Sequence, residues 1–193
     1  FNPLSAPHFG GLWEAGIKSV KSHLFRTIGQ QILTFEEFST LLTQIEALLN
    51  SCPICSMSSD PNDLRALSPG HFLTLEPLTV LPDRDLTHLK LNTLSRWQLL
   101  QRFHQDFWKR WHQEYLPTLI QRNKWNKHNS LIVPGTLVLI KEDTVSPLNW
   151  RLGRIVNLHP GKDRIVRVAT LRVGKGITQR PLVKPCPLPN QQQ

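Results

Sequence analysis

The chain has 193 residues, of which 39% are hydrophobic and 19% are charged; this length fits one large domain or two small ones. The hydrophobic share suffices for a buried core, which excludes wholesale disorder, and no apolar run reaches the ~18 residues that a membrane span needs. Three cysteines are too few for a disulfide scaffold and favour a reducing compartment. The chain begins at Phe1 with a loop-like stretch, so we expect a fragment of a longer protein.

The net charge of +9 is unevenly distributed. Residues 96–193 contain seventeen Lys or Arg against five Asp or Glu, a net of +12. Residues 1–70 contain four Lys or Arg against six Asp or Glu, and residues 71–95 contain two Lys or Arg against three Asp or Glu. A basic half of this kind attracts polyanions and predicts a nucleic acid as the leading partner. A generally basic, solvated surface is the alternative that charge alone leaves open.

Apolar spacing predicts two helices near the start of the chain. Apolar side chains recur at helical intervals over residues 12–28, and Gly29 follows as a helix stop. A second helix begins after Thr34, which is predicted to form a capping box with Glu37. It ends before Pro53 because proline cannot continue a helix.

Residues 52–94 are rich in Pro, Ser and Asp and are predicted to form a long connector. Short helical turns are expected around residues 61–67 and 69–72. Asp60 and Asp63 lie in a Pro/Asn stretch and are predicted to form turns rather than to bind a metal ion.

The connector also contains a CxxC pair, Cys52 and Cys55. This spacing occurs in zinc and redox sites, but a structural zinc site needs four ligands. Only Cys186 remains as a further cysteine. We therefore predict two partly buried thiols without a metal ion.

A third helix is predicted from Ser95 to about Trp125, with a kink at Pro117. Aromatic side chains recur along one side of it: Trp97, Phe103, Phe107, Trp108, Trp111 and Tyr115. Such a stripe is typical of a packed core, although aromatic side chains among basic ones also stack unpaired bases. The charged residues of its other side are candidates for phosphate contacts: Arg102, Lys109 and Arg110.

From about residue 132 the pattern changes to short apolar runs separated by Gly and Pro turns. Four to five strands in about 55 residues predict a small barrel of the SH3-like type.

The opening of the chain contains the strongest candidate for chemistry. Gly10 and Gly11 precede a helix with Glu14 in its first turn, and Lys18 and Lys21 follow on the same helix face. An acid at a helix N-terminus commonly just complements the dipole, and Glu–Lys pairs four apart are ordinary. The spacing alone therefore assigns no site.

The stretch NPLSAPHFGGLWEAGIKSVK, residues 2–21, resembles the signature around the last catalytic carboxylate of retroviral-type integrases, specifically those of BEL/Pao LTR retrotransposons. Residues 34–53, 58–73, 94–122 and 147–173 resemble the downstream segments of those polyproteins. The resemblance therefore extends to about Leu188. Three departures from the family pattern are Thr74-Leu75 for an Ile-Gly, Asp163-Arg164 for an Asp-Gly, and Pro185 for a Leu.

The resemblance implies a ribonuclease-H-like core in which two aspartates and one glutamate hold two Mg²⁺ or Mn²⁺ ions for attack on a phosphodiester. By the match, Glu14 is that glutamate, a catalytic residue and metal ligand in the complete parent only, and Lys18 and Lys21 contact the DNA end. The two aspartates belong upstream. We therefore expect this chain alone neither to join strands nor to bind a metal ion tightly.

The resemblance also implies that the barrel binds duplex DNA with little sequence preference. The candidate contacts are Arg151, Arg154, Arg167, Arg172 and Lys175. The expected fold class is α+β: terminal helices of a ribonuclease-H-like core, a long helical linker and a small SH3-like β-barrel. The expected domains are residues 1–72 for the core portion, 73–130 for the connector and aromatic-basic helical linker, 131–188 for the barrel and 189–193 for a tail.

The expected function is DNA binding as part of a retrotransposon integrase, with a homo-oligomeric parent, no membrane partner, and a location in the nucleus and cytoplasm. Two alternatives remain open at this stage. One is a host-adopted nucleic-acid or chromatin-binding module in which Glu14 is vestigial. The other is an assembly segment whose aromatic helix builds the multimer.

Overall fold

A computed structural model describes residues 11–79, 83–119, 132–142, 146–163 and 165–189. The described part is a mixed α and β chain, as expected. Its α-helices are α1 Gly11–Ile28, α2 Phe35–Asn50, α3 Pro69–Thr74 and α4 Arg96–Leu119. Its strands are β1 Cys55–Ser56, β2 Ala66–Leu67, β3 Leu137–Ile140, β4 Leu152–Pro160, β5 Val166–Val173, β6 Gly176–Pro181 and β7 Pro185–Pro187. Among these described helices, none is both long and apolar enough to cross a membrane.

The two predicted N-terminal helices are confirmed, together with their end signals. Gly29 adopts a left-handed conformation with φ of 60° directly after α1, where a glycine is favoured. The capping box is present: the Glu37 carboxylate accepts a hydrogen bond from Thr34 N at 2.9 Å, and Thr34 Oγ1 accepts one from Glu37 N at 3.3 Å. These reciprocal bonds satisfy two backbone donors at the start of α2.

The helical turn expected around residues 61–67 is wrong, because β1 pairs antiparallel with β2 there. Asp60 Oδ1 accepts from Asn62 N at 2.8 Å, and Asp63 Oδ1 accepts from Arg65 N at 2.9 Å. Such local bonds offer the backbone an alternative to a helix and tighten the loop between the strands. Both aspartates are therefore turn formers, as predicted.

The short helix α3 confirms the turn predicted around residues 69–72, and it ends in a strained residue. Leu75 has φ of 63° at the C-cap, a position that favours glycine. The side chain is 87% exposed and contributes little packing.

Replacing Leu75 by glycine should therefore stabilise the chain. We expect Leu75→Gly to raise the free energy of unfolding by about 0.5–1 kcal/mol, because relief of the left-handed strain exceeds the added entropy of the unfolded chain. Urea unfolding measures the change. Leu148 is the control, since it has φ of 60° but packs against the helical core. If Leu75→Gly lowers the free energy of unfolding as much as Leu148→Gly does, this account is wrong.

The aromatic stripe of α4 is a packed core, as predicted. Its buried side chains include Phe103, Phe107, Trp108 and Trp111, which pack with Leu41, Ile45 and Leu48 of α2 and Leu24 of α1. Trp97 is the exception at 57% exposed. Pro117 lies inside the last turn of α4. The predicted extension of this helix to Trp125 lies outside the described residues.

Strands β3 to β7 form one antiparallel sheet in the order β6-β5-β4-β3-β7. Apolar side chains of one face form their own core, which includes Val138, Ile155 and Leu171. On the other face, Leu137 and Leu139 of β3 pack with Leu116 of α4, and Leu64 of the β1–β2 loop borders the same cluster. Strand β3 is therefore buried on both faces.

Trp150, directly before β4, joins the sheet to the helices. Its indole Nε1 donates to Ser51 Oγ at 2.9 Å, at the end of α2. Its ring lies edge-on to Trp108 at a centroid distance of 4.8 Å and to Trp111 at 5.9 Å. These contacts link residues on either side of both expected domain boundaries, which follow residues 72 and 130. The boundaries themselves stay predictions.

Candidate nucleic-acid interface

The first candidate surface is one face of α1. Glu14 lies in the first turn, and Lys18 and Lys21 follow at intervals of four and three residues. All three side chains are exposed. The helix dipole favours a carboxylate at this end, and the two ammonium groups make the rest of the face basic. Lys18 and Lys21 can therefore bind an anion next to the Glu14 carboxylate.

The Glu14 face does not by itself fit a two-metal centre. Within the residues that the structure describes, no group of three or more His, Cys, Asp or Glu side chains could hold a metal ion. Two metal ions need several carboxylate ligands, and α1 presents a single one at this place. We therefore derive no chemical step through a metal ion from these residues.

The second candidate surface is the sheet, and here one predicted contact is wrong. Arg154 is 3% exposed, so its guanidinium is unavailable to a phosphate. It donates to Gly135 O at 2.7 Å, to Ser58 O at 3.1 Å and to Asp63 O at 2.6 Å. Arg154 thus fastens the β1–β2 loop to the sheet. A guanidinium suits this role because its rigid fork reaches several acceptors at once.

Arg172 lies directly opposite Arg154 in the β4–β5 register and faces the same loop. Its guanidinium donates to Asn62 Oδ1 in the β1–β2 loop. The side chain is half-buried. Arg172 therefore contributes to the same attachment, and we give it a structural position rather than a primary role in phosphate binding.

Two other predicted residues are exposed and suitable for phosphate contact. Arg167 pairs with Asp163 at 2.5 Å, and this guanidinium lowers the pKa of the Asp163 carboxyl. Lys175 is exposed in the turn between β5 and β6, flanked by Gly174 and Gly176. Because the Arg167 pair is exposed to solvent, a phosphate can compete with the carboxylate for the guanidinium.

The last predicted residue, Arg151, belongs to a cluster that charge patterning did not single out. Glu142, just after β3, lies 2.7 Å from Arg151 and 3.5 Å from Arg180 of β6. Glu142, Arg151 and Arg180 form the Glu142 cluster, which has two cations and one carboxylate. Its members are up to 38 positions apart in sequence, from Glu142 to Arg180.

The basic side of α4 differs from the sequence-based expectation at Arg102. This side chain is half-buried, pairs with Asp106 at 2.7 Å and donates to Leu86 O at 2.6 Å and Leu89 O at 2.9 Å. It fastens the connector to α4. Lys109 and Arg110 are exposed.

The cysteines lie in different surroundings. Burial raises the pKa of Cys52 and of Cys186 to about 11, so both thiols are protonated at neutral pH. Cys55 is half-buried. Protonated, buried thiols are poor nucleophiles and poor metal ligands. The burial of Cys52 and the partial burial of Cys55 agree with the prediction of two partly buried thiols.

Comparison with protein families gives a match for the second half of the chain. Residues 95–188 match the model of a family of unknown function, DUF5641. This segment begins just before α4 and ends directly after β7. The family model therefore covers the aromatic helix and the five-stranded sheet together. No curated protein and no solved structure matches the chain.

Proposed function

We propose that this chain binds duplex DNA through exposed basic side chains of its sheet, as a C-terminal part of an integrase of the BEL/Pao retrotransposon type. The observation that carries the proposal is a set of exposed sheet cations, Arg151, Arg167 and Lys175, with the half-buried Arg180 beside Arg151 on the Glu142 carboxylate. Neutralisation of phosphates by such side chains is independent of base sequence and sensitive to salt. The resemblance to integrases supports the same function.

An SH3-like barrel is the form of the sheet that we infer. Strands β6 and β3 are not neighbours in the strand order, yet Arg180 of β6 reaches Glu142 at the end of β3. Leu182, just after β6, also packs with Val138 and Ile140. Strong curling of a small antiparallel sheet supports a barrel-like closure.

A ribonuclease-H-like core that continues beyond this chain is the second part of the proposal. A groove of about 470 Å³ between α1 and α2 is lined mainly by apolar side chains, among them Ile17, Leu42 and Leu49. Ile17 is 51% exposed and Phe38 is 38% exposed. Exposed apolar surface of this kind marks an interface, and a neighbouring layer of the same core would cover it.

DNA binding is tested by salt titration of the whole chain. Removing three exposed sheet cations, by Arg151→Ala with Arg167→Ala and Lys175→Ala, should weaken duplex binding. Each lost phosphate contact should reduce the slope of log K against log salt by about 0.9, so the total reduction is at most about three. The measurement is fluorescence anisotropy with blunt duplexes of two unrelated sequences.

The control removes the same charge away from the sheet, by Arg26→Ala with Arg84→Ala and Lys90→Ala. This control should leave the slope near that of the unaltered chain. Equal slopes for both triple variants would show that only the net charge matters, and absence of binding at low salt would overturn the proposal.

The role proposed for Glu14 is tested in the complete protein that also supplies two aspartates. Glu14→Gln removes the charge that metal ions need but keeps size and hydrogen bonding, so strand joining should fall at least about a hundredfold while DNA binding persists. The assay is joining of a labelled DNA end to a plasmid. Glu36→Gln is the matched control, since Glu36 is likewise an exposed acid in the first turn of its helix, α2. Joining by Glu14→Gln within a few fold of the control would refute the assignment.

An assembly segment is the second candidate function, and the apolar groove between α1 and α2 favours it. If assembly is the main role, the chain should self-associate by sedimentation at concentrations where it does not bind duplex DNA. A host-adopted DNA-binding module would instead bind DNA without any strand joining in the complete protein.

A further inference from the structure

A second groove, of about 930 Å³, runs along α4 and meets the sheet only at Glu142, the carboxylate that pairs with Arg151 and Arg180. One wall is the connector around residues 83–87, and the other is the segment 146–149 before β4. Its floor includes a helical stripe of planar side chains: Trp97, Gln101, His104, Trp108 and His112. These recur every three or four positions and so follow one line along the helix.

The shape of this groove fits an extended chain. The stripe from Trp97 to His112 spans about 23 Å at the helical rise of 1.5 Å per residue. An extended peptide advances by about 3.3 Å per residue. About seven residues of a peptide would therefore lie along the stripe.

The charge of the groove differs from that of the chain as a whole. Its charged lining residues are Asp83, Asp85, Glu142 and Lys109, whereas the chain has a net charge of +9. Because Glu142 is already paired with Arg151 and Arg180, two acids, Asp83 and Asp85, remain against one base. Burial lowers the pKa of His104, with Asp83 opposing that shift, and we infer that this imidazole adds no positive charge at neutral pH. A phosphate backbone is therefore disfavoured here, and a cationic chain is favoured.

The groove also has polar atoms that lack partners. Gln44 Oε1 on α2 and His104 Nε2 on α4 are buried without a hydrogen-bond partner among the described residues, and both residues line the groove. A buried acceptor without a partner costs free energy that a bound donor recovers. A peptide N–H in the groove is such a donor for the Gln44 amide oxygen.

We propose that this groove binds an extended segment rich in Lys and Arg from a protein partner. The exposed face of Trp97, 57% accessible, and the Asp83 carboxylate near His104 each provide a place along the groove for an ammonium or guanidinium group. The carboxamides of Gln44 and Gln101 hydrogen-bond the peptide backbone. The basic sheet remains available to DNA at the same time.

The test uses a fluorescein-labelled nine-residue peptide that alternates lysine with glycine and alanine, titrated with the whole chain. Its affinity should exceed that of the same peptide with glutamate for lysine by at least about tenfold. Trp97→Ala and Asp83→Asn should each weaken binding about three- to fivefold, the size of an exposed cation contact. Gln44→Leu should weaken binding without lowering the midpoint of unfolding, because its Oε1 has no partner to lose among the described residues.

Glu46→Gln is the control, since Glu46 is an exposed acid that lines the other groove on α2. It should leave peptide binding unchanged, as should Arg167→Ala with Lys175→Ala, since neither of these sheet residues lines the groove. Equal affinity for the lysine and glutamate peptides, no effect of Trp97→Ala, or tighter binding of single-stranded oligothymidine through Trp97 would each overturn the proposal. None of these results bears on duplex binding by the sheet.

Discussion

Trp150→Ala should lower the free energy of unfolding by about 3 kcal/mol, the lower end of the range for a buried aromatic side chain, because Trp150 is half-buried. The substitution removes the edge-on contacts with Trp108 and Trp111 and the hydrogen bond to Ser51 Oγ. Because Trp150 lies between α4 and the sheet, the loss should affect both parts of the molecule. Urea unfolding followed by far-ultraviolet circular dichroism measures the change.

Trp97→Ala is the matched control, since that tryptophan is 57% exposed. It should change the free energy of unfolding by about 1 kcal/mol or less. Trp150→Phe should lie between the two, because it keeps part of the ring contact but loses the hydrogen bond. If Trp150→Ala changes the free energy of unfolding as little as Trp97→Ala does, Trp150 does not join the helices to the sheet.

Arg154→Ala is expected to lower the free energy of unfolding by about 3 kcal/mol while leaving the salt dependence of DNA binding unchanged. Three carbonyl oxygens lose their donor, and hydrogen bonds from a charged group contribute about 1.5–3 kcal/mol each without adding fully. The β1–β2 loop should loosen first, since two of those oxygens belong to Ser58 and Asp63. Hydrogen exchange of the loop amides measures this directly.

Arg151→Ala provides the comparison, because that arginine is exposed and pairs with Glu142. It should reduce the salt slope of duplex binding by about 0.9 and change stability little. A different result would contradict this account of Arg154. If Arg154→Ala keeps its stability but reduces the salt slope of duplex binding, Arg154 contacts DNA.

Much of the helical structure and the distribution of charge follow from local sequence. Thr34 and Glu37 specify the start of α2, Gly29 the end of α1, and the apolar spacing of α4 its buried face. These features depend on residues a few positions apart, so their physical causes are visible in the printed chain. The excess of Lys and Arg after residue 95 is likewise a property of composition.

Long-range contacts decide which arginines are available. Arg154 and Arg151 are three positions apart in equally basic surroundings, yet one is buried under a loop from about 90 residues earlier and the other is exposed. Local sequence contains no signal for that difference, because burial depends on where the β1–β2 loop packs. The same holds for the Glu142 cluster, since curling of the sheet, rather than spacing along the chain, places Arg180 beside Glu142.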